Sequence, residues 1–333
     1  MILLTGATGL LGSHVLFELI TAKKSVRALY RDPAKIENTR KIFGYYGNAD
    51  AVNSVEWVKA DINDFFTLVD CLADVDLVYH TAGRVTFNDR DRKTLNHIHV
   101  GGTANVVNAC LEKGNIRLCH VSSIASLGDS STGEPVTEEI IWNRGHAASA
   151  YAISKHKAEM EVWRGISEGL DAVIVNPSVI IGPGMWMGPG RELFNKVSEG
   201  LKYYPAGSTG YVDVRDVARI MVLLGESGIS GERFIINSEN LSYKDFLTFL
   251  ATSLQSPVPY MPITPFLVNL AVVFESIRSL LTAGPPRITK RSFTISSETL
   301  QYSNRKILDA MNFNFIPVET SLKQALDIFR RQT

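Results

Sequence analysis

The sequence is poor in cysteine: Cys71, Cys110 and Cys119 are its three thiols, and no C-x-x-C pair occurs. A sparse, odd set argues against a disulfide framework and for reduced thiols in a reducing compartment. Charge of neither sign is in excess, with 34 Lys and Arg against 34 Asp and Glu. That balance gives no electrostatic reason to expect nucleic acid as a partner. Internal repeats and low-complexity tracts are lacking. The apolar residues 1–4 run into glycines without a basic leader or a cleavage site, so no signal peptide is expected and a cytoplasmic location follows. One apolar segment, Ile263 to Leu281, contains Asn269, Glu275 and Arg278, which are costly at bilayer depth. It predicts a helix packed on the body or lining an apolar pocket, with peripheral membrane contact as the alternative, and no integral membrane segment.

What is present is ordinary globular material. Apolar residues make 45% and charged residues 20% of 333 positions, enough for a large core in one large or two modest domains. The first dozen residues organise the rest. Met1 to Leu4 reads as a buried strand, three glycines follow at Gly6, Gly9 and Gly12, and an apolar-periodic helix runs from Ser13 to Ala22. This is a dinucleotide-binding pattern. Gly6 permits the tight turn, Gly9 lets the backbone approach a pyrophosphate, and Gly12 packs the helix on the strand. The helix N-terminus offers free N–H groups to the phosphates.

Strand and helix signals then alternate. Strands are predicted at 25–30, 55–59, 75–80, 116–122 and 171–176, with helices near 33–44, 64–72, 91–113 and 148–168. Such alternation implies an α/β fold with a parallel, doubly wound Rossmann sheet. After Asn176 the rhythm breaks at Pro177, Gly182-Pro-Gly184 and Gly188-Pro-Gly190. A strand at 211–214, a helix at 216–225 and a strand at 232–237 are expected to return to the sheet. Residues 1–182 plus 211–237 therefore read as the dinucleotide-binding domain. Residues 183–210 plus 238–333 read as a smaller, mostly helical substrate lobe over the carboxyl edge of the sheet, where ligands of open α/β sheets bind.

Tyr151 and Lys155 are spaced i and i+4, so a helix places them on one face. A nearby ammonium favours the phenolate, and such a tyrosine can exchange a proton with a hydroxyl or carbonyl oxygen. His120-Val-Ser-Ser-Ile124 closes the fifth strand and puts Ser122 and Ser123 at its carboxyl end. One of them is expected to cap a turn and the other to hydrogen-bond a reacting oxygen. The order of glycine turn, strand-end serine and Tyr-x-x-x-Lys is jointly specific.

These pieces resemble the short-chain dehydrogenase/reductase superfamily in its extended branch. The resemblance rests on Thr5-Gly-Ala-Thr-Gly-Leu-Leu-Gly12, Ala60-Asp-Ile62, His80-Thr-Ala-Gly83, Ser122-Ser123 and Tyr151-x-x-x-Lys155. It continues through Asn176-Pro-Ser-Val179, Gly182-Pro-Gly184 and Tyr211-Val-Asp-Val-Arg-Asp-Val-Ala218, and more loosely to Pro317. Within the branch the chain looks most like dihydroflavonol reductase and 3β-hydroxysteroid dehydrogenase relatives. The resemblance implies Tyr151 as general acid/base, Lys155 lowering its pKa and holding the nicotinamide ribose, and Ser123 orienting the substrate oxygen. It implies cofactor contacts from Thr8, Gly9, Leu10 and Leu11 in the turn, Asp61 and Ile62 at adenine, and Thr81, Ala82 and Gly83 behind ribose and pyrophosphate. Val121, Pro177 and Val179 would border the nicotinamide. Relatives often dimerise through the helices matching 148–168 and 91–113, so a homodimer is an expectation.

One departure is His99-Val-Gly-Gly-Thr103, where many relatives carry Asn-Val-x-Gly-Thr. If relatives use that Asn in a proton relay, His99 replaces it or the relay runs differently. His97 and His99 suggest no metal site, because helical residues two apart do not share a face and no third ligand is apparent. At the end of the second strand, Asp32 before Pro33 is a helix-start signal, which leaves Arg31, with Lys35 one turn on, for a 2′-phosphate. NADP(H) is thus expected over NAD, with a solvated surface Arg31 as the rival reading. The run Gly207-Ser-Thr-Gly-Tyr211 carries no cation where sugar-nucleotide enzymes of the branch usually hold an Arg for the diphosphate. Ile124, Met185, Trp186, Met187, Tyr203 and Tyr204 form an apolar set that suits a hydrophobic small-molecule substrate. The same residues read equally as lobe core. The leading function is an NADP(H)-dependent carbonyl reductase or alcohol dehydrogenase. A nucleotide-sugar epimerase or dehydratase with bound NAD and a non-catalytic NADP sensor are the alternatives.

Overall fold

Short runs of branched and aromatic apolar residues, buried on both faces, become the central strands. In a computed structural model, residues 1–86, 88–130, 133–143, 148–187, 190–264, 267 and 297–331 are described. The strands are β1 (Ile2–Thr5), β2 (Val26–Tyr30), β3 (Glu56–Lys59), β4 (Leu77–His80), β5 (Arg117–Val121) and β6 (Ala172–Pro177). The helices between them are α1 (Leu10–Thr21), α2 (Ile36–Tyr45), α3 (Phe65–Cys71), α4 (Arg92–Leu95), α5 (Gly102–Lys113) and α6 (Ala150–Ser167). A π-helical stretch, Asn96–Gly101, joins α4 to α5. The helix predicted near 33–44 divides into a 3₁₀ turn, Pro33–Lys35, and α2, because Asp32 caps the turn through the Ala34 amide at 3.0 Å.

Beyond β6 come β7 (Val179–Ile181), α7 (Arg191–Ser198), β8 (Tyr203–Tyr204), β9 (Ser208–Asp213) and α8 (Val214–Glu226). They are followed by β10 (Glu232–Ile236), β11 (Glu239–Ser242), α9 (Tyr243–Leu254) and β12 (Met261–Pro262). The last helices are α10 (Arg305–Met311) and α11 (Val318–Arg330).

Seven strands form one parallel sheet in the order β10-β6-β5-β4-β1-β2-β3. The order reverses between β1 and β4, which opens a crevice at their carboxyl ends. The sequence expectation for 211–214 and 232–237 is met by β10 but not by β9. That strand joins β7 and β11 in a separate three-stranded sheet. Nearly all of its residues are buried, which suits either sheet, and pairing with β7 and β11 decides.

One core lies between the sheet and α1 with α8, and holds Val15, Leu16, Leu19, Val217 and Met221. The other lies under α3, α5 and α6, and holds Leu68, Val106, Val107 and Val162. Each such buried side chain contributes about 1.5–3 kcal/mol of transfer free energy. A third core joins α7, α9 and α11. All three cysteines are free and buried, and burial pushes the Cys110 and Cys119 thiols up to about 12. Among the described residues no helix is long and apolar enough to cross a membrane. Apart from 263–264 and 267, the apolar segment 263–281 lies outside the described residues.

Candidate active site

The glycine turn is built by close contact. Gly6 has φ +71°, and a Cβ there would stand 2.6 Å from the Ala82 nitrogen. A Cβ on Gly12 would stand 2.1 Å from the Gly6 carbonyl oxygen, so α1 packs on the turn only without a side chain. Gly9 differs: the nearest atom to its added Cβ is Gly6 O at 3.3 Å, and the residue is exposed. Gly9 is the N-cap of α1 and offers no side-chain acceptor. The first-turn N–H groups, including those of Leu10 and Leu11, therefore face the crevice without an intrahelical partner. Thr5 locks the neighbouring loop to this turn. Its Oγ1 lies 2.7 Å from His80 Nδ1 and 3.3 Å from the Ala82 amide, and Thr81 Oγ1 donates to Thr5 O at 2.7 Å.

A cavity of about 540 Å³ opens beside this loop, lined by Arg31, Lys35, Asp61, Asn63, Gly83 and Arg84 among others. Three cations face one carboxylate. Arg31 Nη1 is 3.8 Å from Asp61 Oδ2, and both side chains are largely exposed, so this pair holds Arg31 weakly. Asp61 Oδ1 instead accepts from the Asn63 amide and from Asn63 Nδ2, at 3.0 and 2.9 Å. Asn63 Oδ1 is buried and has no hydrogen-bond partner among the described residues. An orphaned acceptor, an open glycine and uncapped helix amides fit a dinucleotide with its adenosine end in this cavity. Ile62 is placed differently from Asp61. It is buried against Gly102, whose added Cβ would stand 2.4 Å from Ile62 Cδ1.

At the other end of the crevice, β5 delivers Ser122 and Ser123. Ser123 Oγ accepts from the Ala125 amide at 3.1 Å, capping the turn Ile124–Ser126, and also hydrogen-bonds the side chain of Tyr151. Of the pair, Ser123 therefore takes the capping job. Ser122 is buried and donates to Glu159 Oε2 at 2.5 Å. Ser149 caps α6 by accepting from the Ala152 amide at 3.1 Å, which sets the first turn carrying Tyr151. Burial raises the Tyr151 pKa and the Ser123 hydrogen bond opposes it. Easy ionisation, expected from the Lys155 spacing, is therefore not what the geometry provides. Lys155 Nζ donates to Val121 O at 2.8 Å, and burial pulls its pKa down to about 8 against the charge of Glu159. Pro177 ends β6, and Val179 beyond it is 43% exposed. Between them Ser178 Oγ is buried without a partner among the described residues.

His99 is buried in the π-helical stretch with both ring nitrogens engaged, Nε2 by the Arg84 amide at 3.0 Å and Nδ1 by Ser154 Oγ at 2.9 Å. His97 lines the 540 Å³ cavity instead. No cluster of three potential metal ligands occurs among the described residues. The apolar set divides. Ile124 sits next to Ser123 and packs with Leu127, Val136, Ile235 and Tyr302. Met185 and Trp186 belong to the third core, with Trp186 edge-on to Phe329 at 5.3 Å and tilted on Tyr45 at 5.7 Å. They take the lobe-core reading rather than the substrate-wall reading. Sequence reasoning missed Asn63, Arg84 and Glu159. For Glu159 a signal exists, since it follows Lys155 by four residues on the same helical face.

The sequence profile of the NAD dependent epimerase/dehydratase family matches residues 2–237. A Synechocystis sp. protein named for dihydroflavonol 4-reductase is 28% identical over 330 residues, covering 97% of this chain and 91% of its own. Cinnamoyl-CoA reductase 1 of Oryza sativa subsp. japonica is 31% identical over 261 residues, 75% of each chain. The crystal structure of gox2253 superposes with a TM-score of 0.82 at 26% identity, covering 100% of this chain and 98% of that one.

Proposed function

The chain belongs to the NAD dependent epimerase/dehydratase family, and from that premise we propose that it is an NADP(H)-dependent oxidoreductase acting on a carbonyl or hydroxyl carbon of a small, hydrophobic substrate. The observation that carries this reading is the hydrogen bond between Ser123 and Tyr151, with Lys155 one turn on, at the carboxyl end of β5. Bound NADPH supplies the hydride. In the reduction direction, Tyr151, a phenol that burial makes harder to ionise, donates its proton to the substrate oxygen. Ser123 holds that oxygen against the phenol. Lys155 uses one of its three N–H donors on Val121 O, which leaves two for the nicotinamide ribose. Arg31, Lys35 and Arg84 hold the adenosine end and its 2′-phosphate. Pro177, Ser178 and Val179 border the nicotinamide. Ile124 is the first apolar contact of the substrate. The relatives named for dihydroflavonol and cinnamoyl-CoA reduction support a carbonyl with an apolar body.

The test is NADPH oxidation with a panel of apolar aldehydes, ketones and thioesters. Wild-type turnover is expected, and Tyr151→Phe should lose about 100-fold or more in kcat while its NADPH affinity and thermal midpoint stay close to wild type. Unchanged turnover in Tyr151→Phe would sink the assignment. Tightly retained NAD and no net oxidation would favour sugar-nucleotide epimerisation or dehydration.

A further inference from the structure

We propose that His99 is a positioning residue that ties the loop carrying Arg84 in the cofactor cavity to the helix carrying Tyr151, so that cofactor seating and phenol placement are set together. The inference rests on the cofactor reading above and adds a role for a residue outside the Ser123, Tyr151 and Lys155 set.

The tie is a chain of three hydrogen bonds. The Arg84 amide donates to His99 Nε2 at 3.0 Å, the ring meets Ser154 Oγ through Nδ1 at 2.9 Å, and Ser154 Oγ donates to Tyr151 O at 2.8 Å. These bonds set the tautomer. Nε2 accepts a backbone N–H, so the single proton of the neutral ring sits on Nδ1. The Ser154 hydroxyl already donates to Tyr151 O, so it accepts from His99, and every donor has one acceptor. The ring also stands edge-on to Tyr151, with 5.7 Å between centroids and 80° between the ring planes. The loop backbone runs close to the ring, since a Cβ on Gly83 would lie 3.4 Å from His99 Nε2. Burial lowers the ring's pKa to about 3, first by desolvation and then by Lys155 and His80, which keeps it neutral. With both nitrogens taken, His99 has no free proton or lone pair for a relay. The π-helical stretch supplies the extra residue per turn that aims the ring across the gap.

The two ends can be separated by side-chain length. Asparagine places a polar atom where imidazole has Nδ1, and glutamine places one where it has Nε2. His99→Asn keeps the bond to Ser154 and releases Arg84. His99→Gln keeps the bond to Arg84 and releases Ser154. The experiment measures NADPH Kd by fluorescence titration and kcat at saturating NADPH for both variants. His99→Asn should weaken NADPH about tenfold with kcat within about threefold of wild type. His99→Gln should hold NADPH within about threefold and lose about tenfold in kcat. Equal shifts of the same parameter in both variants, or no shift in either, would overturn the proposal. Should both variants fail to fold, ¹⁵N shifts of His99 in the wild type decide: an Nδ1–H ring supports the tie, and an Nε2–H or doubly protonated ring overturns it. If the wild type binds neither NADPH nor NADH, the cofactor reading itself fails and the proposal with it, whereas normal wild-type binding with indistinguishable variants removes the proposal alone.

Discussion

The Ser122 hydroxyl donates to Glu159 Oε2 across 2.5 Å, joining the carboxyl end of β5 to the interior of α6. The same carboxylate oxygen accepts from Ser126 Oγ at 2.6 Å and Asn176 Nδ2 at 2.8 Å, while Oε1 pairs with Arg233 Nη1 at 2.9 Å. Burial alone would raise the Glu159 pKa, but the serine donors and the Arg233 guanidinium outweigh it and hold the group ionised. Strand ends β5 and β6, helix α6 and strand β10 are thus pinned at one point behind Ser123 and Lys155.

Glu159→Gln should therefore do two things. It strands the buried part of Arg233, at a cost of about 3–5 kcal/mol, read as a lower denaturation midpoint. It also removes the negative charge that supports the Lys155 ammonium, so the alkaline limb of kcat/KM against pH should move to lower pH. An unmoved limb in a folded variant would show that Lys155 does not feel this carboxylate.

The three glycines of the first turn should respond differently to one added methyl. Gly12→Ala and Gly6→Ala drive a Cβ into backbone at 2.1 and 2.6 Å, so both should lower the melting temperature. Gly9→Ala meets only Gly6 O at 3.3 Å and has an ordinary extended backbone, with φ −86°. It should fold with little loss, about 1 kcal/mol or less as an N-cap change, yet weaken NADPH binding by roughly tenfold or more, because the methyl points where a pyrophosphate would lie. Thermal melts beside cofactor titrations separate the cases. A Gly9→Ala protein with wild-type affinity would argue against phosphate at this turn.

What the sequence reveals is what depends on neighbours along the chain. Gly6 to Gly12, the Asp32-Pro33 cap and the Tyr151–Lys155 spacing are each written within one turn or helix, and the structure forms each where it is expected. What stays hidden depends on distant partners. Arg84 reaches the cavity because His99, fifteen residues on, holds its amide. Arg233 meets Glu159 across 74 positions. The pairing of β9 with β7 instead of the main sheet joins residues about thirty positions apart, which periodicity does not encode. Trp186 looks alike in sequence whether it faces substrate or Phe329.

Cofactor choice should rest on the cations around the 540 Å³ cavity. Arg31 is only loosely paired with Asp61 at 3.8 Å, and Arg84 lies 3.5 Å from Asp91 Oδ2, so both guanidinium groups can turn to a phosphate. Arg31→Ala should weaken NADPH about tenfold or more and NADH by less than about twofold, which corresponds to losing one charge-assisted contact. Arg84→Ala should show the same selectivity with a smaller loss, since Asp91 competes for it. Equal loss of both cofactors in Arg31→Ala would remove the 2′-phosphate from this site.

Asp216 supplies a pH test of the join between α8 and the residues leading into α11. Its Oδ2 accepts from the Ile316 amide at 2.7 Å, and Oδ1 has no hydrogen-bond partner among the described residues, with Arg219 Nη1 3.7 Å away. Burial raises its pKa to about 6, the Asp213 carboxylate adding to the rise and the Ile316 amide and nearby arginines opposing it. A raised carboxyl pKa means that the folded chain binds the proton more readily than the unfolded one. The resulting stabilisation is fully present below the ordinary value of 3.8 and is lost as pH rises through 6. Asp216→Asn keeps an acceptor for Ile316 and has no charge to bury. The wild type should therefore lose on the order of 3 kcal/mol relative to Asp216→Asn between about pH 4 and 7. Urea midpoints of the two proteins across that range measure the difference. A gap that does not change with pH would mean that Asp216 is solvated or paired well enough to ionise normally, and that the bond to Ile316 is not made by a strained carboxylate.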